Sequence, residues 1–162
     1  MARRDRPDLS HVRDGGEIAM VDVGAKMVTD REATAEAVVR MKPSTARLLE
    51  KKALPKGDVL TTAKVAGILA AKNTSSMIPL THPLALNYID LDFSVRPRKG
   101  EVLVRATVRC SGKTGVEIEA MTACAVAALT IYDMCKSAEH GITIESVRLL
   151  RKSGGKSGTY ER

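Results

Sequence analysis

A chain of 162 residues that is 44% hydrophobic and 28% charged has the length and mix of one folded domain, not of a disordered polymer. Aromatics are 2% (one Phe, three Tyr, no Trp), so the core has to come from Ala, Val, Leu, Ile and Met. That argues against a platform for stacking the bases of single-stranded nucleic acid. The net charge of +7 asks for an anionic partner, with nucleotide, nucleic acid and membrane surface all qualifying.

Residues 1–17 are basic and polar with no apolar stretch behind them, which predicts a flexible N-terminal segment and excludes a secretory leader. No apolar run is expected to approach the length of a membrane span. Residues 34–41 alternate loosely and predict a strand. Pro43 and Ser44 open a short helix through Leu48, Leu49, Lys51 and Lys52, and the Leu-Pro-Lys-Gly run at 54–57 breaks it. Asp58 is placed to cap a helix over 59–72. The apolar positions of that helix (Leu60, Ala63, Ala66, Gly67, Ala70, Ala71) are mostly small, so it can lie close to a neighbour.

Pro79 and Pro83 bracket Leu80, Thr81 and His82, predicting a stiff, non-helical loop that presents His82 in a set direction. Ile89, Leu91, Phe93 and Val95 alternate before a turn at 96–100, and Val102, Val104, Ala106 and Val108 alternate after it. This is a hairpin with one buried face. Residues 116–139 form the longest predicted helix, apolar nearly all round and needing cover on more than one side. Gly141 ends it, 142–150 is a last strand, and 151–162 is a basic, glycine-rich tail. The order predicts a ferredoxin-like βαββαβ α+β fold, an antiparallel sheet with helices on one face and the other face left for a partner subunit. Residues 18–162 then make a single catalytic domain. Cys110, Cys124 and Cys135 show no CxxC spacing, as expected of free thiols in a reducing cytoplasm.

Chemistry has few places to sit. Gly154-Gly-Lys-Ser-Gly158 resembles a phosphate loop, but Leu150 stands where a Walker A motif needs its first glycine, and too few residues remain for a helix to follow. A glycine-rich turn that meets a phosphate with backbone amides and Lys156 remains open. Thr114 and Glu117 fit a capping box. Glu119 and Lys113 flank the same helix start. Asp133 and Lys136 fall three apart inside the apolar helix, on one face, where a carboxylate is expensive unless paired or working. They are candidates for an acid–base couple, with the Lys136 pKa lowered if the site is dry. The chain has only three His and no Cys/His cluster, so no metal site is expected. A nucleophile elbow is also absent.

Met20-Val-Asp-Val23, Lys56-Gly-Asp-Val59, Ala66-Gly-Ile68 with Ala70-Ala-Lys72, Ile78-Pro-Leu-Thr-His-Pro-Leu84, Lys113-Thr-Gly-Val-Glu-Ile-Glu-Ala-Met-Thr122, Leu129-Thr-Ile-Tyr-Asp-Met-Cys-Lys136 and Lys152-Ser-Gly-Gly-Lys-Ser-Gly158 occur in that order. Together they resemble the molybdenum cofactor biosynthesis protein C family, the cyclic pyranopterin monophosphate synthases. The resemblance implies a ferredoxin-like fold and a hexamer built from dimers. It implies a lyase that takes the 3′,8-cyclised dihydro-GTP handed on by a radical GTP cyclase. That substrate is rearranged to cyclic pyranopterin monophosphate with release of pyrophosphate. Asp133 and Lys136 match the family's catalytic residues. Leu80, Thr81, His82, Ile118 and Glu119 match its substrate contacts, and Arg31, Lys56, Glu117 and Lys152 match other charged pocket residues. The family commonly has Cys at the place of Thr81 and Met at that of Ile118.

No resident cofactor is implied, although Mg²⁺ can accompany the triphosphate. Lys56, Lys152 and Lys156 are expected to hold phosphate oxygens. Glu119 and Asp133, 14 residues apart on one helix, are separated by roughly 21 Å, which predicts active sites shared between two chains. The competing readings are a basic RNA-binding module, which needs aromatics on its central strands, and a ligand-sensing regulatory domain, which needs no Asp133–Lys136 pair.

Overall fold

The computed structural model describes residues 16–162, so all but two positions of the expected N-terminal segment lie outside the described residues. Strand β1 (Thr29–Arg40) leads to helices α1 (Pro43–Glu50), α2 (Val59–Lys72) and the short α3 (Thr74–Met77). Strands β2 (Leu86–Arg96) and β3 (Glu101–Gly112) follow, then helix α4 (Glu117–Cys135), β4 (Thr143–Ser153) and β5 (Tyr160–Glu161). The sheet order is β2-β3-β1-β4-β5, with every pairing antiparallel. Its first four strands have the ferredoxin-like arrangement.

Alternation sorts the sheet into two faces. Ala33, Ala35, Ala37 and Val39 of β1 and Val102, Val104, Ala106 and Val108 of β3 are buried under the helices. Small residues on β1 let α4 sit close. At Gly67 of α2 an added Cβ would come within 2.9 Å of the Ala123 carbonyl oxygen in α4 and 2.5 Å of a Leu91 methyl. Asp58 caps α2 as expected, accepting the Thr61 N–H at 3.1 Å. Lys52 and that N–H together hold its carboxyl down from 3.8 to about 2.

The opposite face is a ladder of charge. Glu36, 5% exposed, accepts from Arg105 at 3.1 Å and Arg148 at 2.7 Å, and Glu32 is bridged by Arg109 and Arg151. Tyr88, opposite Arg109 on the edge strand, stacks under that guanidinium, whereas Phe93 pairs with buried Val104 and packs on the helix side. No row of aromatics for an RNA is formed on the central strands.

Four expectations are corrected. Strand β1 starts at Thr29, not 34. Helix α4 ends at Cys135, leaving Lys136 as its C-cap. At 19 residues it is long and apolar enough to cross a membrane by length and composition alone, yet it lies across the sheet, half buried in the protein. The tail is not free either. Residues to 153 belong to β4, and the chain turns back so that Tyr160 and Glu161 pair with Lys152 and Arg151. The sheet pays no register to the tail's composition, because backbone pairing satisfies donors and acceptors that a solvated coil would leave to water.

Candidate active site

A cleft of about 380 Å³ opens beside the first turn of α4. Leu80, Thr81, His82 and Leu84 enter from the proline-bracketed loop, and Thr114, Gly115, Glu117, Ile118 and Glu119 from the β3–α4 corner. Val21, Val23 and Lys26 come from the irregular segment before β1. The walls are thus aliphatic and the ends polar, the lining suited to a flat heterocycle with hydrogen-bonding edges. The Thr81 hydroxyl donates to the Ile78 carbonyl at 2.8 Å, which stiffens the loop.

The capping box does not form. Val116 is the N-cap, with no side-chain cap bond, and Glu117 is the first helical residue. Its carboxylate folds back against Gly115, where a Cβ would collide with it, and pairs with Lys152 at 2.8 Å. Glycine at 115 therefore makes room for a carboxylate aimed at the cleft. Glu119 is 4% exposed, and burial followed by the charge of Glu117 raises its pKa.

Lys152 reaches Glu117, at the edge of this cleft, because of a register shift. Leu149 pairs with Ala35 but Arg151 pairs with Thr34, so Leu150 is an extra residue in β4. Without it, alternation would send Lys152 to the charged open face. With it, Lys152 stands opposite buried Ala33 on the helix side. Arg31 lies next to it. Its Nε donates to the Gly112 carbonyl at 3.3 Å, and the 154–155 backbone closes over its guanidinium. Gly155 has φ +74°, and a Cβ there would collide with Arg31 Nη1. Lys156, beyond this turn, is exposed and has no ion pair among the described residues.

Asp133, Lys136 and Lys56 are elsewhere, at the far end of α4. Asp133 Oδ1 takes Lys136 Nζ at 2.8 Å, and Oδ2 takes Lys56 Nζ at 3.1 Å. Lys56 also donates to the Asp133 carbonyl at 3.0 Å. The pair does not sit in a dry apolar surface as expected. The two side chains are 49% and 54% exposed. Lys136 and then Lys56 hold the Asp133 carboxyl below its usual range, and Asp133 raises the Lys136 pKa instead of burial lowering it.

The structure so brings Leu80, Thr81, His82, Glu117, Ile118, Glu119, Lys152 and Arg31 to one end of α4 and Lys56, Asp133 and Lys136 to the other. The cleft residues Val21, Val23, Lys26 and Leu84 were not expected. Val21 and Val23 lie in a stretch that carried the resemblance yet belonged to no predicted element, a signal of a role at a site and not in a core.

The MoaC family model matches residues 20–155, most of the chain. The chain belongs to the MoaC family. Its relatives include the cyclic pyranopterin monophosphate synthases of Nitratidesulfovibrio vulgaris (52% identical over 97% of this chain and 98% of the relative) and Geobacter sulfurreducens (56%, over 95% and 96%). That of Bordetella avium is 55% identical over 95% of both chains. The MoaC match takes in both ends of α4 and stops just before Lys156. Among the described residues of this MoaC chain, no three His, Cys, Asp or Glu gather as a metal site would require.

Proposed function

We propose that this chain is a cyclic pyranopterin monophosphate synthase of molybdenum cofactor biosynthesis. As a lyase, it converts the 3′,8-cyclised dihydro-GTP to cyclic pyranopterin monophosphate and pyrophosphate. One observation carries the reading. Within the stretch matching the family, α4 ends at one side in a carboxylate-edged slot and at the other in a carboxylate held between two lysines. A heterocycle rich in N–H groups suits the slot, where Glu117, Glu119, His82 and Thr81 supply acceptors and the aliphatic walls hold the ring plane. Phosphates go to Arg31, Lys152, Lys56 and Lys156, with Lys152 offsetting the Glu117 charge beside it. These cations offset charge on the departing pyrophosphate. No resident cofactor is assigned, and any Mg²⁺ arrives on the triphosphate.

Asp133 and Lys136 move the protons of ring opening and reclosure. Phosphate entering beside Lys56 and Lys136 competes with Asp133 for them, so its pKa rises toward a range useful for proton transfer.

The working site takes one end of α4 from each of two chains. The ends are roughly 21 Å apart along the helix, further than one compact nucleotide reaches. Between them runs an uncovered stripe, Ile118, Thr122, Ala125 and Leu129, with Ile118 39% and Leu129 59% exposed. An antiparallel second copy covering this stripe sets the Glu119 end of one chain beside the Asp133 end of the other, twice per dimer. Three such dimers make the hexamer that the family resemblance implies. A radical GTP cyclase supplies the unstable substrate in a reducing cytoplasm, in keeping with three buried free thiols.

The test is incubation with the cyclised nucleotide, following pyrophosphate and the cyclic monophosphate product. Folded protein that releases neither overturns the proposal.

A further inference from the structure

Two walls of the cleft are anchored very differently. Leu80 and Leu84 stand on the loop stiffened by Pro79 and Pro83, and Ile118 on α4. Val21 and Val23 belong to a segment with no helix or strand over 21–28. Its own bonds are local. Gly24 N–H donates to Asp22 Oδ1 at 2.7 Å, and Lys26 N–H to the Val23 carbonyl at 3.1 Å. Among the described residues, Lys113 ties this turn to the body of the protein, its Nζ donating to the Gly24 carbonyl at 2.6 Å from 89 residues away. Lys113 is rooted on a rigid corner, directly after β3, and its own carbonyl accepts from Arg31 at 3.4 Å. A charged donor gives a shorter and stronger bond than a neutral one, and Ile18, before the turn, adds an isolated β-bridge.

We propose that Lys113 is a positioning residue that latches the 21–27 turn over the cleft, so that Val21 and Val23 form a fixed wall against the substrate's ring. This rests on the synthase reading only for what fills the cleft. A latched wall is ordered before the ligand arrives, so binding does not have to order it. Without the latch, each binding event has to immobilise the segment. The loss falls on affinity and not on proton transfer at Asp133, so KM and kcat separate.

Hydrogen exchange of the free protein, followed in peptides covering 19–27, reads the latch directly. Lys113→Met, which keeps the aliphatic stem, is expected to speed exchange there about ten-fold, the worth of one hydrogen bond to a charged group. Pyrophosphate-release kinetics with the cyclised nucleotide are expected to show KM raised by a similar factor, with kcat nearly unchanged. Lys113→Arg, which can still donate to the carbonyl, restores both. A double Val21→Ala, Val23→Ala variant keeps the latch and raises KM without faster exchange. Unchanged exchange in Lys113→Met overturns the latch. Faster exchange in Lys113→Met, with KM unchanged both there and in the double-alanine variant, overturns the wall. If the wild-type protein shows no turnover, the synthase reading fails, while the exchange experiment still judges the latch.

Discussion

Shared sites predict a specific arithmetic when two dead variants are mixed. Glu119→Ala removes the buried carboxylate from the cleft end of α4, and Asp133→Asn removes the charge clamped by Lys56 and Lys136 at the other. Each is inactive alone. A separation of 14 positions along the helix puts these groups roughly 21 Å apart in one chain, so an active site that needs both draws them from two chains. After subunit exchange at equal amounts, a site is intact only where one chain brings Glu119 and its neighbour brings Asp133, about one quarter of all sites. Turnover should recover to about that fraction of wild type. A mirror experiment sharpens it. The double variant mixed equally with wild type should lower turnover to about one quarter if sites are shared, and to about one half if each chain works alone. Exchange is verified by mass-tagging one partner, and activity is read as pyrophosphate released. Verified exchange with no recovery, together with one-half activity in the mirror experiment, refutes the composite site.

Other outcomes follow from the same geometry. Lys136→Ala and Asp133→Asn should abolish turnover but leave the thermal midpoint near wild type, because both side chains are half exposed. Lys56→Ala removes one of the two cations that depress the Asp133 pKa, so the acid limb of residual activity should move to higher pH. Glu119→Gln should stabilise the fold while removing activity. A carboxyl whose folded pKa is raised costs stability as pH climbs from its unfolded value of 4.5 through the folded one, so the gain in thermal midpoint appears at pH 8 and closes near pH 4. Equal midpoints at pH 8 would count against a Glu119 whose burial raises its pKa. Gly67→Ala should destabilise by about 1–3 kcal/mol in urea titrations, since the added methyl meets the Ala123 carbonyl and a helix backbone cannot yield as a side chain can.

The mixed outcome at α4 shows how far local pattern reaches. Thr114 and Glu117 have the spacing of a capping box, and nothing within four residues contradicts it. What overrides it is Lys152, a strand away, which takes the Glu117 carboxylate at 2.8 Å. Likewise Asp133 and Lys136 are correctly placed on one face by their spacing of three, but whether that face is dry depends on what covers it. In the single chain it faces water.

Much of the architecture was legible because its causes are local. Alternation in 89–95 and 102–108, the Asp58 cap, the small residues of α2 and the punctuation at Pro43, Gly57 and Gly141 are short-range signals, and their order leaves few sheets to build. Charge pointed to an anionic partner of unspecified kind, and the spacing of Asp133 and Lys136 to a candidate acid–base couple. The tertiary structure alone decided which face of the sheet Lys152 serves, that the tail returns as β5, that Val21 and Val23 wall the cleft, and which strand and loop residues join each end of α4. These depend on the extra residue at Leu150, on strand register and on bonds such as Lys113 to Gly24, between groups far apart in the chain. A period of two or of 3.6 residues says which side chains share a face. It does not say which distant segment that face will meet, because that is settled by which long-range pairings bury the most apolar surface and satisfy the most backbone at once.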